Sequence, residues 1–348
     1  MLNRIYVVLA IAAICIVNAG YSYSQTGTWD QAIALFQQRH WAEAAAAFAE
    51  LEKTQPGKSD ALLYQGKCLV NLGRFPDAAG VLQNYAAAHP QSDDAAYLLA
   101  YASFREDKPK ESLQLYTHAA RLKTPTADDL KIVALDYVLL NDYGDAAHYL
   151  EIALQMDPRN DEARYHLGRV RYQQNRFDDA IAAFQEVLKS EPGNVKAQNN
   201  LGLSLEATNR VPEAVVAFQK AIALDKASEV HTGEPYLNLG ILLVKSNKAA
   251  EAVPLLTAAA QIERKSAKAH YELAGALFSL NNLPEAERET QESIRLNPGD
   301  SPAHYLLGRI YHSLGKADLA TREFKLTDEL MRSQSASSPG MATGLDQK

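Results

Sequence analysis

Asn199, Asn200 and Asn238 each carry a side-chain amide, a donor and an acceptor on one group, and Tyr165, His166, Arg169, Tyr172 and Lys196 accompany them near the middle of the chain. Amides held at a regular spacing can hydrogen-bond the backbone of an extended peptide without reading its side chains. Arg169 and Lys196 add attraction for an acidic partner or a carboxylate. This is binding chemistry; the parts of covalent chemistry are missing. The nine histidines show no HExxH spacing, His304 and His312 are too far apart to share one metal on a helix face, and there is no Gly-rich phosphate loop or nucleophile elbow. Paired acids at Asp93-Asp94, Asp128-Asp129 and Asp178-Asp179 fall near expected helix starts, where they complement the helix dipole. The sequence implies a non-catalytic chain with no metal site and no cofactor.

The elements that must position these residues are helices written in a repeat. Arg164 to Pro192 holds two segments of helical period broken at Asn175, and the small residue that lets the second helix approach the first recurs at Ala44, Ala78, Ser112, Ala146, Ala180, Ala214, Ala252, Ala286 and Ala320. Seven of the eight intervals are 34 residues; Ala214 to Ala252 is 38, which inserts four residues into a loop between Ala227 and Gly233 that is expected to tolerate shortening. The turn inside each unit needs a residue that accepts a positive φ, and that offset carries Gly73, Asp107, Asn141, Asn175, Asn209, Asn247, Asn281 and Gly315, with Arg39 departing. Ser92, Thr126, Asn160, Asn194, Thr232, Ser266 and Asp300 are good N-caps before first helices, with Lys58 the exception. Proline follows second helices at Pro56, Pro90, Pro125, Pro158, Pro192 and Pro298, and opens them at Pro76, Pro212 and Pro284.

Leu167, Gly168, Ala180, Phe184 and Pro192 fall where a 34-residue helix-turn-helix repeat places them, and these residues resemble the tetratricopeptide repeat (TPR). The resemblance implies an all-α, right-handed superhelical solenoid of nine helix-turn-helix units, undivided by length, in which first helices line a concave groove. Carried over unit by unit, it places Trp29, Ile33 and Phe36, then Tyr97, Leu98, Tyr101 and Phe104, on that groove as an aromatic ladder. Tyr165, His166, Arg169 and Tyr172 follow, with Asn199, Asn200, Leu237 and Asn238 at its centre and Tyr271, Phe278, Tyr305, Arg309 and His312 beyond. Asn200 and Asn238 are similar to the asparagine ladder of O-GlcNAc transferase TPRs, whereas Tyr165 stands where the carboxylate clamp of chaperone-binding TPRs has lysine. Asp136 occupies a normally buried position and must be paired, or its unit must depart from regular packing.

The 35 basic and 42 acidic side chains give a charge of -7, which argues against a nucleic-acid partner. Arg4 ahead of the apolar run Ile5 to Val17 reads as a signal peptide over residues 1–24, with an uncleaved membrane anchor as the alternative; Ile14 fits poorly before a lipoprotein-type Cys15. Removing that segment leaves Cys68 as a single buried thiol. The solenoid is expected over 25–332 and a flexible Ser, Gly and Ala tail over 333–348. The chain resembles exported bacterial TPR proteins, which implies a scaffold for a protein or peptide partner in envelope or periplasmic assembly. The alternative is a regulatory or substrate-presenting subunit of an envelope enzyme.

Overall fold

The computed structural model describes residues 28–57 and 60–337, and among these every regular element is a helix. The chain, read from sequence as one array, divides into two compact units, Met1–Pro158 and Arg159–Lys348. The first unit contains α1 (Trp29–Gln37), α2 (Trp41–Thr54), α3 (Ala61–Asn71), α4 (Phe75–Ala88), α5 (Asp93–Arg105), α6 (Pro109–Leu122), α7 (Ala127–Leu139) and α8 (Tyr143–Met156). The second contains α9 (Asp161–Gln173), α10 (Phe177–Ser190), α11 (Val195–Ala207), α12 (Val211–Lys226), α13 (Glu234–Lys245), α14 (Ala249–Ile262), α15 (Ala267–Ser279), α16 (Leu283–Leu296), α17 (Ser301–Ser313) and α18 (Ala317–Ser337). α18 runs past Arg332, where the sequence placed the end of the ordered array. The N-terminal segment 1–24, Lys58 and most of the expected tail lie outside the described residues. No helix among the described residues is long and apolar enough to cross a membrane.

Each odd-numbered helix turns back on the next even-numbered one through a residue in the left-handed region. Gly73 and Gly315 adopt φ of 71° and 73°, and Asp107, Asn141, Asn175, Asn209, Asn247 and Asn281 lie between 56° and 60°. Arg39 takes the same conformation at 61°, against a residue-type preference of about 1 to 2 kcal/mol. The hydrogen bonds explain why. After α9 the Arg176 N–H donates to the Arg171 carbonyl at 2.8 Å, and after α1 the His40 N–H donates to the Leu35 carbonyl at 2.9 Å, both closing the helix with a six-to-one bond that only a left-handed residue permits.

The helix starts follow the sequence with two exceptions. Ser92, Asn160, Asn194 and Ser266 accept from the backbone N–H three residues on, and Thr126 forms a reciprocal capping box with Asp129. Asp300 is in the cap position but its side chain makes no capping bond. At α13 the cap residue is Gly233 rather than Thr232.

Inside each unit the repeat signature is a packing rule. Ala44, Ala78, Ser112, Ala146, Ala180, Ala214, Ala252 and Ala286 are fully buried, and Ala320 nearly so. Gly168 permits close approach: a Cβ there would lie 2.8 Å from the ring of Phe184, itself fully buried. Odd-numbered helices also pack on the next odd-numbered one, α3 on α5 and α5 on α7 in the first unit, and α9 through α17 in series in the second. No even-numbered pair makes a comparable contact among the described residues, so the odd helices form the inner side of each stack.

The four-residue insertion is not slack. α12 has 16 residues where α2, α4, α6, α8, α10, α14 and α16 have 14, so part of the insertion is helical. The remainder is tied to the fully buried carboxyl of Asp225, which accepts from the Thr232 N–H at 2.8 Å and from the Tyr236 hydroxyl at 3.3 Å. The His231 Nδ1 is 3.0 Å from the Asp225 carbonyl. The expectation of a freely shortened loop is corrected by these bonds, because shortening moves Thr232 and Tyr236 away from the group they satisfy.

Candidate functional site

The sequence-derived residues of the second unit lie on α9, α11 and α13, three neighbouring inner helices. Their helical phase brings Tyr165, His166, Arg169 and Lys196 around one recess, which Asp161, Glu162, Glu191 and Asn194 also line. Arg169 and Lys196 are exposed and neither has a carboxylate within ion-pair distance among the described residues. Acids thus share the rim with two cations that are not neutralised by direct contact. His166 Nε2 stands 4.0 Å from Glu162 Oε1. Burial raises the Tyr165 hydroxyl above the ordinary phenol range, with Arg169 pulling it the other way.

The asparagines are more committed than sequence spacing implied. Asn200 Nδ2 donates to the Tyr165 hydroxyl at 3.0 Å and to the Lys196 carbonyl at 2.9 Å, which uses both amide protons and leaves Oδ1 as the group that can meet a ligand. Asn238 Nδ2 donates to Asn199 Oδ1 at 3.0 Å. The bonds to Tyr165 and to Asn199 join neighbouring inner helices, α11 to α9 and α13 to α11. Asn199 is 2% exposed, so its expected place on the groove is corrected: it lies between α11 and α13 and supports Asn238. Tyr172 is half-buried and meets Phe177 edge-on at 5.3 Å, a contact between the two helices of its own hairpin.

The unit after that of Asn238 carries a carboxyl at the same repeat position. Glu272 on α15 is 34 residues beyond Asn238 and partly buried, and burial raises its carboxyl above the usual range despite Lys268 and Lys245 nearby. The 34-residue spacing carried this signal, and reading the asparagines as a patch of two missed it. Asn200, Asn238 and Glu272 together give a row of side-chain acceptors along α11, α13 and α15, with the exposed cations Arg169 and Lys196 at its α9 and α11 end.

The secondary groove residues of the first unit are placed on inner helices but engaged with one another. Trp29 packs edge-on against Phe48 and Tyr64, both at 5.5 Å. The Tyr97 hydroxyl donates to the Lys123 carbonyl at 2.7 Å. Tyr101 meets Phe75 edge-on at 6.1 Å and accepts from Arg105 Nη1 at 2.9 Å, while Phe104 lies 6.3 Å from Tyr101. These rings cement adjacent helices, and their edges remain half-exposed on the inner side. No group of three or more His, Cys, Asp or Glu among the described residues is placed to hold a metal ion.

Known proteins share this architecture. The chain is 27% identical over 132 residues to BBSome complex member BBS4 of Xenopus tropicalis, a match that spans 38% of this chain and 25% of that protein. The crystal structure of the APC/C hetero-tetramer Cut9-Hcn1 superimposes with a TM-score of 0.58 at 15% identity, over 86% of this chain and 59% of that one. A tetratricopeptide repeat protein from Parabacteroides merdae does so with a TM-score of 0.55 at 13% identity, over 71% and 96% of the two chains. The chain thus spans a quarter of its sequence relative and under two thirds of the first structure. Tetratricopeptide repeat models match residues 30–91, 69–125, 134–188, 165–229, 243–310 and 301–326. With the buried alanines, the left-handed turns and the Gly168 contact with Phe184 all in the phase of those matches, the chain belongs to the tetratricopeptide repeat family.

Proposed function

We propose that this protein is a non-catalytic scaffold that holds an extended segment of a partner protein or peptide along the inner face of the second unit, between α9 and α13. The repeat family supports a role in protein–protein interaction. The observation that carries the finer reading is the pairing of a hydrogen-bonded asparagine row with two cations outside any ion pair among the described residues: Asn200 and Asn238 are held by bonds across adjacent helices, and Arg169 and Lys196 stand exposed beside them. Prior ordering of the row lowers the entropy cost of binding. Arg169 and Lys196 favour an acidic segment at the α9 end. The setting we propose is the cell envelope after export, which rests on Arg4 and the apolar run Ile5 to Val17.

The experiment places a photo-crosslinking residue at Arg169, and in a second variant at Val216 of α12, which is 64% exposed on an even-numbered helix. Partners captured from the native host and mapped by mass spectrometry are expected to crosslink from position 169. Crosslinks confined to position 216 overturn the inner-face assignment. Mass spectrometry of the same native preparation, with an N-terminus between Gly20 and Thr26, checks export; an intact Met1 in a membrane fraction favours the anchor.

A further inference from the structure

Asp136 lies on α7 in the first unit and is fully buried. Its Oδ2 is 2.6 Å from Ser112 Oγ on α6, and that same Oγ is 3.0 Å from the carbonyl oxygen of Ala100 on α5. Asp136 Oδ1 is buried without a hydrogen-bond partner. The hydroxyl of Ser112 has one proton, and the Ala100 carbonyl can only accept it. An ionised Asp136 could also only accept, so a single proton would face two acceptors and an anionic Oδ1 would remain buried and unpaired, an arrangement that is strongly disfavoured. A proton on Oδ2 resolves both problems. Asp136 then donates to Ser112, Ser112 donates to Ala100, and the orphaned Oδ1 is a neutral carbonyl oxygen.

The repeat supplies a second observation. The position of Ser112 carries alanine in every other unit, and here alone a hydroxyl stands where it meets a buried carboxyl. The chain of bonds joins three helices, α7 to α6 to α5, and holds one repeat to the next.

We propose that Asp136 is a neutral carboxylic acid in the folded protein and that its proton is a latch on the α5, α6 and α7 packing, so that the first unit loosens when the proton leaves. Burial pushes this carboxyl up to about 7; a Ser112 hydroxyl donating to the carboxylate would lower it, but in the bond chain above that proton goes to the Ala100 carbonyl. The titratable group that faces it from α6 is the buried Tyr116, whose own ionisation Asp136 disfavours, and no Lys, Arg or His of α5, α6, α7 or α8 among the described residues offsets its charge. The folded value lies above the ordinary 3.8, so the proton-linked stability is fully present below about pH 4 and is lost as pH rises to about 7. Within that window the folding equilibrium constant falls by up to about tenfold per pH unit, and above it the loss levels off.

The test is a carbon-13 NMR titration of the full chain labelled at aspartate carboxyls. One carboxyl signal is expected to titrate near pH 7, to be absent from Asp136→Asn, and to be the signal that moves in Ser112→Ala. The serine variant restores the alanine that the other repeats carry, so it provides the assignment even where Asp136→Asn folds poorly. All aspartate signals titrating in the ordinary acid range overturn the proposal. In denaturant unfolding between pH 5 and pH 8, wild type is expected to lose stability relative to Asp136→Asn up to neutrality and then run parallel to it; curves parallel throughout also overturn it.

Discussion

Asn200 on α11 donates to the hydroxyl of Tyr165 on α9, 35 residues earlier, at 3.0 Å, and this one bond makes a binding residue also a tie between repeats. Replacing Asn200 by alanine therefore affects folding as well as any ligand contact. Asn200→Ala is expected to lower stability by about 0.5 to 1.5 kcal/mol, the net worth of such a bond. Tyr165→Phe removes the same tie but leaves the asparagine amide in place. A partner-affinity loss in Asn200→Ala that exceeds the loss in Tyr165→Phe assigns contact to the amide; equal losses, measured by titration calorimetry, reduce Asn200 to a spacer.

Arg169 and Lys196 separate charge from structure. Neither side chain is in an ion pair among the described residues, so Arg169→Ala and Lys196→Ala are expected to leave the thermal midpoint nearly unchanged. Binding of an acidic segment should weaken in both, and the difference from wild type should shrink as salt is raised, because exposed charges are screened over about 10 Å at 0.1 M. An affinity loss of the same size at low and high salt would point to shape rather than charge.

How much of this was legible in the sequence depends on how local each determinant is. Asn175 and the cap at Asn160 act within a few residues of themselves, so residue type and spacing were sufficient. Arg39 carries no residue-type signal for a left-handed turn, but the repeat phase put it at the offset where the structure finds it. Asn199 shows what is lost. Helical phase places it one residue from Asn200, yet 2% exposure separates a supporting role from a contacting one. Leu237, at the same repeat position and also buried, was the signal that this position faces inward between helices. The Ser112 bond to Asp136 joins residues 24 apart across two helices, and only packing decides that distance.

Gly168 provides an internal control on packing. A Cβ at this position would meet the buried Phe184 ring at 2.8 Å, so Gly168→Ala is expected to cost about 1 to 3 kcal/mol through overpacking. Ala180, fully buried on the facing helix, should respond in the same way to Ala180→Leu. Gly80 on α4 has open space within 4 Å of where a methyl group would stand, and there Gly80→Ala should raise stability by about 0.5 to 1 kcal/mol from helix propensity. Thermal midpoints that move in the same direction for Gly168→Ala and Gly80→Ala would contradict the assigned register.

Cys68 on α3 is fully buried, and burial pushes its thiol up to about 11. The thiolate is the reactive form, so the native protein at pH 8 should resist a thiol-specific reagent. Labelling is expected only as the first unit opens in denaturant, which makes the Cys68 modification rate a local stability probe. Fast labelling of the native chain, in a variant whose Cys15 is replaced by serine, would show that α3 is not packed as described.

The last prediction concerns the insertion, where a buried carboxyl replaces the expected slack. Asp225 Oδ1 holds the Thr232 N–H at 2.8 Å and Oδ2 holds the Tyr236 hydroxyl at 3.3 Å, so Asp225→Ala leaves two donors without their partner. The cost is expected at about 1 to 3 kcal/mol, the penalty of unsatisfied buried polar groups. Val230, 81% exposed at the tip of the same segment, should accept serine with a change within about 0.5 kcal/mol, as ordinary surface positions do. Deleting two residues between Ala227 and Val230 tests the two accounts of the loop against each other. Closure entropy alone would change stability by well under about 1 kcal/mol. A loss that matches Asp225→Ala, and that is not increased further when both changes are combined, is the expected result, because the deletion and the substitution break the same bonds. Additive losses in that double variant, read from denaturant midpoints at constant m-value, would mean that Asp225 does not anchor the insertion.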